Sequence, residues 1–270
     1  RKVAGAVLLL CGRCSGSDGG DQIHAPSGCD DRDRKTLGEI WMELKNEWFY
    51  DKCEGYLKKW GLKRTDVIRT FDEPIGDDGT VGILRGNLAP EGSVVKHSAV
   101  PKEMFKAVLK ARPFDCEEDA IAAVLSHRIQ PGDAVFIRYE GPKGSGMPEM
   151  FYTTEAISSD PELGKTIALI TDGRFSGASK GPAIGHVSPE AAEGGPIALV
   201  EEGDLIRIDI PERVLEIVGI HGQEMSREEV DKVLAERKAA WKPKAPKYTK
   251  GVLKIYSEHA VSPMKGGYMV

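Results

Sequence analysis

The sequence predicts an α/β domain in which short β-strands form a closed or nearly closed barrel flanked by helices. Between residues 81 and 219 the helical spacing of apolar residues gives way to short β-rich runs. Many short strands with few helices are typical of a sheet that curls on itself. Of the 270 residues, 40% are hydrophobic and 29% are charged, which is the balance of a chain that buries a core.

A helical segment is predicted ahead of this domain. Residues 36–39 have the pattern of a capping box, and the helix that follows is expected to reach about Trp60 with a break near Gly55. Its apolar face is formed by Leu37, Ile40, Trp41, Leu44 and Trp48. We therefore expect four parts along the chain: an unassigned, atypical segment at 1–34, the helical segment at 35–80, the barrel-like domain at 81–225, and a C-terminal helix and tail at 226–270.

Seven strands are predicted in the barrel-like domain. They lie at residues 81–85, 93–97, 133–139, 166–170, 197–200, 205–210 and 213–218. Residues 204–212 have the pattern of a hairpin that leads into the last strand. A helix over 115–127 is predicted to begin with a capping box of Asp115 and Glu118, and another begins at Ser226 with Glu229. The Lys-rich stretch at 237–250 is interpreted as a solvated linker.

Composition excludes several classes of function. The net charge of −5 provides no basic field that would attract nucleic acid. No run approaches the ~18 consecutive apolar residues of a membrane helix. The five cysteines are few and odd in number, which favours a reducing cytoplasm over a disulfide framework. Cys53 and Cys116 fall in predicted helical segments and are expected to be buried free thiols.

The first 34 residues admit three interpretations. Four side chains could bind zinc, although their spacing fits no standard zinc module: Cys11, Cys14, His24 and Cys29. The short apolar run at residues 3–10 could belong to a signal peptide, although no convincing cleavage site follows it. A frameshifted or mis-joined segment is the interpretation we favour.

Two predicted strands end in glycine-rich turns that carry polar side chains. The strand at 166–170 leads into a turn that presents Ser176, and the strand at 133–139 leads into residues 141–150, which contain Glu149. If both strands belong to one sheet, Glu149 and Ser176 could converge at one end of it. They would then provide a carboxylate for a hard cation and a hydroxyl that the cation could acidify. The alternative for the serine turn is an ordinary strand-to-helix loop with an N-capping serine.

Other catalytic loops do not match these turns. No histidine base lies beside Ser176 in the sequence, and the preceding Arg174 and Phe175 do not fit a Gly-x-Ser-x-Gly elbow. Residues 141–143 lack the spacing of a phosphate-binding loop.

Taken together, the motifs resemble the dihydroxy-acid dehydratase and phosphogluconate dehydratase family, which also includes aldonic-acid dehydratases. The matching segments are residues 86–96, 141–150, 168–179 and 185–191, and they occur in the family's order. Residues 35–39 are similar to the segment that leads into this half of the family's proteins. The resemblance covers roughly residues 35 to 270.

The resemblance implies a fold and an activity. The fold would be a swivelling β/β/α barrel domain that moves over a cluster-bearing N-terminal half. The activity would be removal of water from a 2,3-dihydroxy carboxylic acid to give a 2-keto acid. Branched-chain amino-acid synthesis uses such acids with a short apolar tail. Sugar catabolism, the alternative, uses aldonates or phosphogluconate.

The resemblance also implies roles for individual residues. Ser176 takes the place of the family's catalytic serine, whose alkoxide removes the proton from C2, and Glu149 takes the place of a carboxylate that binds Mg²⁺. Arg174, Gly177 and Ser179 would contact the substrate. Because an arginine close to an aspartate often forms a structural ion pair, Arg174 could instead pair with Asp172.

Three further polar residues receive weaker expectations. Lys143 and Ser145 could contact a ligand through their backbone amides. His186 is expected to be a satisfied core histidine, with a supporting role near the site as the alternative.

In this family an iron–sulfur cluster, either 2Fe-2S or 4Fe-4S, accompanies the Mg²⁺, and its cysteines lie in the N-terminal half. Nothing in residues 1–34 resembles that half, so we expect this chain to be a C-terminal half and to be inactive alone. The expected partners are the small-molecule acid, the cluster-binding half and a second copy in a dimer or higher oligomer, in the cytoplasm. An inactive truncated fragment is the non-enzymatic alternative.

Overall fold

A computed structural model describes residues 39, 49–70, 72–75, 79–176, 179 and 181–270. The chain divides into two compact units, residues 1–78 and residues 79–270. The predictions for residues 1–34, and most of the predicted capping box at 36–39, lie outside the described residues. Among the described residues, no helix is long and apolar enough to span a membrane.

The first unit contains two described helices, α1 (Phe49–Lys58) and α2 (Arg64–Val67). Gly55 lies inside α1, so the break predicted there is wrong. A glycine lowers helix stability by only about 1 kcal/mol, and the neighbouring residues are able to continue the helix. Cys53 is half-buried in α1, less buried than predicted.

The second unit contains one nine-stranded sheet in the order β1-β2-β6-β5-β4-β3-β7-β8-β9. Its strands are β1 (Gly82–Leu84), β2 (Gly92–Val95), β3 (Lys106–Phe114), β4 (Asp133–Ile137), β5 (Ala168–Thr171), β6 (Ala183–Ser188), β7 (Leu205–Asp209), β8 (Val214–Ile220) and β9 (Gln223–Glu224). The four central strands, β6 to β3, run parallel, and the outer pairs are antiparallel. The predicted hairpin is confirmed as β7 and β8.

The sheet curls until strands near its two ends meet. Arg85, directly after β1, forms a bridge with Val214 at the start of β8. The Arg85 N–H donates to the Arg213 carbonyl at 2.8 Å, and the Leu215 N–H donates to the Arg85 carbonyl at 2.9 Å. The structure thus confirms a mixed α/β fold with a curled, barrel-like sheet.

Two hydrophobic clusters lie on the two faces of this sheet. Strand β4 shows the alternation: Ala134 and Phe136 join one cluster, and Val135 and Ile137 join the other. All four side chains are buried, which explains why this strand appears in the sequence as a continuous apolar run. The first cluster also includes Leu84, Ile170, Ile184, Ile206 and Leu215 from five other strands.

Six α-helices accompany the sheet in the described part of the second unit. They are α3 (Glu117–Leu125), α4 (Pro142–Ser145), α5 (Phe151–Ser158), α6 (Leu163–Thr166), α7 (Arg227–Ala240) and α8 (Val252–His259). Buried side chains of α3 and α5 belong to the second cluster, whereas Val230 and Leu234 of α7 belong to the first. The capping box of Ser226 and Glu229 is confirmed.

Three local predictions differ from the structure. Residues 197–200 do not form a strand, because Pro196–Leu199 is a 3-10 helix that begins at a proline. The capping box at Asp115 is absent, because its carboxylate pairs with Arg138 and Lys244 and the helix begins at Glu117. Cys116 is half-buried at the N-cap of that helix.

Candidate active site

The carboxyl ends of β4 and β5 place the two glycine-rich turns side by side. These strands are parallel neighbours, with Ala134 opposite Ala168 and Ile137 opposite Thr171. Both chains therefore leave the sheet at the same edge, where ligands commonly bind in parallel sheets. The condition under which Glu149 and Ser176 were expected to converge is met.

Backbone contacts join the two turns directly. Glu149 forms a bridge with Arg174. The Met150 N–H donates to the Arg174 carbonyl at 3.0 Å, and the Arg174 Nε donates to the Met147 carbonyl at 2.9 Å. Ser176 is half-buried two residues after Arg174. The structure thus brings the Glu149 turn against the segment that leads to Ser176.

The remaining predicted site residues occupy different environments. Arg174 is exposed, and Ser179 is buried with its N–H donating to the Ser176 carbonyl at 3.3 Å. Gly177 lies outside the described residues. The alternative ion pair of Arg174 with Asp172 does not form, because Asp172 accepts backbone N–H groups instead.

The buried carboxylate of Asp172 links three chain segments through hydrogen bonds. Its side chain is 0% exposed and accepts hydrogen bonds from the N–H groups of Tyr139 at 3.2 Å, Glu140 at 2.9 Å and Ala191 at 2.8 Å. Burial raises the pKa of Asp172 to about 6, although these hydrogen bonds act in the opposite direction. The residue fixes the ends of β4 and β5 relative to the segment after β6.

Two more buried carboxylates lie close to this junction. Glu190 accepts hydrogen bonds from the N–H groups of Lys143 and Gly144, each at 3.0 Å. Burial, opposed by these hydrogen bonds, raises the pKa of Glu190 to about 7. Glu140 forms an ion pair with Lys247 at 3.3 Å and accepts a hydrogen bond from the Ser145 hydroxyl.

Sequence reasoning missed the role of these carboxylates. The amide of Lys143, expected to contact a ligand, is occupied by Glu190, and the amide of Ser145 donates to the Gly141 carbonyl at 3.1 Å. Glu190 lies in the segment 185–191 that carries the resemblance. A motif shows that a segment matters, but it does not show what the side chain contacts.

Unfavourable backbone conformations surround the same edge of the sheet. Tyr139, Met147 and His186 have positive φ angles of 64°, 60° and 57°. Such strain persists only where the surrounding structure imposes it, and it is concentrated at functional sites. His186 is half-buried, and burial together with the charge of Arg174 lowers the pKa of its imidazole.

Glu149 fits the requirements of Mg²⁺ as one ligand among several. Its carboxylate is half-buried and makes no hydrogen bond or ion pair with the part of the chain that the structure describes. The described residues contain no group of three or more His, Cys, Asp or Glu side chains arranged for a metal. Because Mg²⁺ commonly takes one or two carboxylates and completes its shell with water and substrate oxygens, a single carboxylate is compatible with it.

The second unit does not fit an iron–sulfur cluster. Such clusters are held by several cysteine thiolates, and Cys116 is the only cysteine in residues 79–270. Ligands for a cluster would have to come from elsewhere.

Comparison with known proteins identifies the family. The family model described as dihydroxy-acid/6-phosphogluconate dehydratase C-terminal matches residues 66–267, and the chain therefore belongs to this family. A protein named dihydroxy-acid dehydratase from Agathobacter rectalis is 56% identical over 205 residues, which is 76% of this chain and 35% of that protein. Proteins of the same name from Lachnospira eligens and Ignicoccus hospitalis are 55% and 51% identical over similar shares. The chain spans about a third of the length of these relatives.

Proposed function

We propose that this chain supplies the serine- and carboxylate-bearing part of a hydro-lyase that converts a 2,3-dihydroxy carboxylic acid into a 2-keto acid. The observation that carries the proposal is the direct pairing of the Glu149 turn with the segment leading to Ser176, at the carboxyl edge of two parallel strands. The names of the relatives favour a dihydroxy acid over the sugar-acid alternative.

Ser176 is the proposed base. It removes the proton from C2 while the hydroxyl group leaves C3, so that one water is lost and the resulting enol tautomerises to the ketone. A serine hydroxyl is too weak an acid to form an alkoxide at neutral pH without a neighbouring positive charge. Mg²⁺ held in part by Glu149 would supply that charge and would offset the charge of the substrate carboxylate.

Arg174, Ser179 and Gly177 are the proposed contacts of the substrate. The Nε of Arg174 is used by the Met147 carbonyl, and no acceptor among the described residues engages its two terminal nitrogens. These nitrogens can therefore bind a carboxylate.

The remaining functions of the active site are assigned to a different part of the protein. We propose that a cluster-bearing N-terminal half completes the site, that the present domain swivels over it, and that the assembly is a cytoplasmic dimer or higher oligomer. The isolated chain is expected to be inactive. No step is assigned to the cluster, because residues 79–270 offer no ligand set for it.

A chimera tests the proposal. Residues 66–267 replace the matching part of the Agathobacter rectalis relative, and 2-keto acid formation is measured from a dihydroxy acid with a short branched tail and from phosphogluconate. We expect turnover of the dihydroxy acid, with a loss of at least about a hundredfold in kcat for Ser176→Ala. Glu149→Gln should lower activity and raise the Mg²⁺ concentration required.

The matched controls are Ser159→Ala and Glu155→Gln, which change an exposed glutamate in α5 and the exposed serine that follows this helix. Both should retain full activity. Unchanged activity of Ser176→Ala, or turnover by the 270-residue chain alone that Ser176→Ala abolishes, would contradict the corresponding part of the proposal.

A further inference from the structure

The Glu190 carboxylate accepts hydrogen bonds from the backbone amides at the start of the Glu149 turn. The side chain is 1% exposed, and both of its oxygens lie 3.0 Å from the Lys143 nitrogen, with Oε2 also 3.0 Å from the Gly144 nitrogen. Gly141 allows this approach, because a Cβ there would collide with the carboxylate, whose Cδ would lie 2.8 Å away. The Glu190 carboxylate therefore satisfies the backbone donors of Lys143 and Gly144.

Hydrogen bonds also hold the backbone of Glu190 in place. Its carbonyl accepts the N–H groups of Glu193 at 3.1 Å and Gly195 at 3.0 Å, and the adjacent Ala191 N–H donates to Asp172. Asp172 also accepts hydrogen bonds from the N–H groups after β4. The backbone beside Glu190 is therefore linked to the sheet through Asp172. The titratable side chains whose charge acts on Glu190, or on which its charge acts, are Asp172, Glu193 and Tyr256.

The turn held by Glu190 leads directly to Glu149. The Gly146 N–H donates to the Pro142 carbonyl at 3.2 Å, and the Met147 N–H donates to the Gly141 carbonyl at 3.1 Å. These bonds close the turn, and only Pro148 separates Met147 from Glu149. Displacement of the Lys143 and Gly144 amides would therefore also shift the backbone of Glu149.

We propose that Glu190 is a positioning residue that holds the turn at residues 141–146 and so fixes the place of Glu149. The inference rests on the proposed function, in which Glu149 binds a metal. Glu190 itself contacts neither metal nor substrate; it acts through the backbone of the turn.

Amide hydrogen exchange in the 270-residue chain, measured by NMR, tests the proposal. In Glu190→Ala we expect exchange at Lys143, Gly144 and Met150 to accelerate about tenfold or more, because two buried donors lose their acceptor. Glu190→Gln retains one acceptor oxygen and should accelerate exchange much less, at about threefold. Glu193→Gln is the matched control, since Glu193 contacts the ammonium of Lys143 and not its amide. In this variant, exchange at the same three amides should match that of the unmodified chain.

Each outcome decides the matter. Unchanged exchange at Met150 in Glu190→Ala, or equal effects of the Glu190 and Glu193 variants, would overturn the proposal. Exchange in β4 reports whether Glu190→Ala still folds, and if it does not, the comparison of Glu190→Gln with Glu193→Gln decides instead. Mn²⁺ titration of the chimera and of its Glu149→Gln variant tests the metal assignment separately: if the two bind alike, the proposed function of Glu149 fails whatever the exchange rates show.

Discussion

At the scale of single residues, the candidate site combines a carboxylate open to a ligand with carboxylates that the protein uses for itself. The side chain of Glu149 makes no hydrogen bond or ion pair with the described residues, whereas the carboxylates of Asp172 and Glu190 each accept several backbone N–H groups. Buried carboxylates of this kind raise the free energy of the folded state when they ionise, unless donors offset the loss of hydration.

Stability should therefore depend on pH through Glu190. Because burial raises its pKa to about 7, its contribution is fully present below the ordinary glutamate value and is lost as the pH rises through about 7. Glu190→Gln should lose less free energy of unfolding between pH 5 and pH 8 than the unmodified chain does, by on the order of 2 kcal/mol. Urea denaturation at four pH values in this range measures the difference.

His186 acts in the opposite direction, because a lowered histidine pKa removes stability as the pH falls. It is common to both proteins, so its effect cancels in the difference. Glu155→Gln, which changes an exposed glutamate that does not contribute to the Glu190 pKa, provides the control, and parallel pH profiles for the unmodified chain and Glu190→Gln would contradict the prediction.

How far the site could be predicted also depends on single residues. Ser176 and Glu149 stand in recognisable glycine-rich turns, and the structure places those turns together. Glu190 could not be found in this way, because its partner Lys143 is 47 residues away in the sequence and the contact involves only the backbone of that partner.

At the scale of elements, the most instructive segment is the stretch after α7, which was expected to be a solvated linker. Trp241 Nε1 donates to the Tyr139 hydroxyl at 3.3 Å, and the Lys244 ammonium lies 4.3 Å from the centre of the Tyr139 ring. Lys247 pairs with Glu140 at 3.3 Å. The segment is thus fastened to the end of β4, directly beside the buried carboxylates.

Loss of Lys247 should destabilise the fold. Burial alone would lower the pKa of Lys247, but the charge and hydrogen bond of Glu140 outweigh it and raise the pKa. Lys247→Met leaves the 2% exposed carboxylate of Glu140 without its cation. Because Lys247 itself is 45% exposed and water screens its charge, the free energy of unfolding should fall by about 1–3 kcal/mol, less than for a fully buried pair. Thermal or urea denaturation measures this change.

Lys250→Met is the control, since Lys250 forms no ion pair with the described residues and should tolerate the change. Combining Lys247→Met with Glu140→Gln should recover part of the loss. Equal stability of the two single lysine variants would show that the ion pair contributes nothing.

Two of the strands that were missed, β3 and β6, share a physical cause. Strand β3 contains Lys106, Lys110, Arg112 and Pro113, and β6 contains Gly185 and the positive-φ His186. Both strands have weak intrinsic β signals and are stabilised by pairing with neighbours on each side. In contrast, β4, β7 and β8 are rich in β-branched residues and were predicted close to their observed bounds.

At the scale of the whole molecule, the chain consists of two compact units with a boundary between residues 78 and 79. The described sheet, both hydrophobic clusters and all the described site residues belong to the second unit. The second unit thus has the core that an independent domain requires.

Residues 79–270 should therefore fold alone. Purified as a separate chain, they should unfold cooperatively, with a Tm within a few degrees of the major transition of the 270-residue chain. Differential scanning calorimetry of both proteins provides the comparison. Loss of the cooperative transition in the shorter chain would show that residues 1–78 are needed for folding.

The bridge between Arg85 and Val214 also governs the order in which the molecule can assemble. Strands β3 to β6 are consecutive in the chain and neighbours in the sheet, so their contacts need only short or moderate loops to close. The bridge instead joins residues 85 and 214, which are 129 positions apart in the chain, so the entropy lost on closing this loop is larger than for the neighbouring parallel strands. We therefore expect this bridge to form after the parallel strands have paired. A chain stalled before that step would expose the backbone groups that Arg85 shares with Arg213 and Leu215.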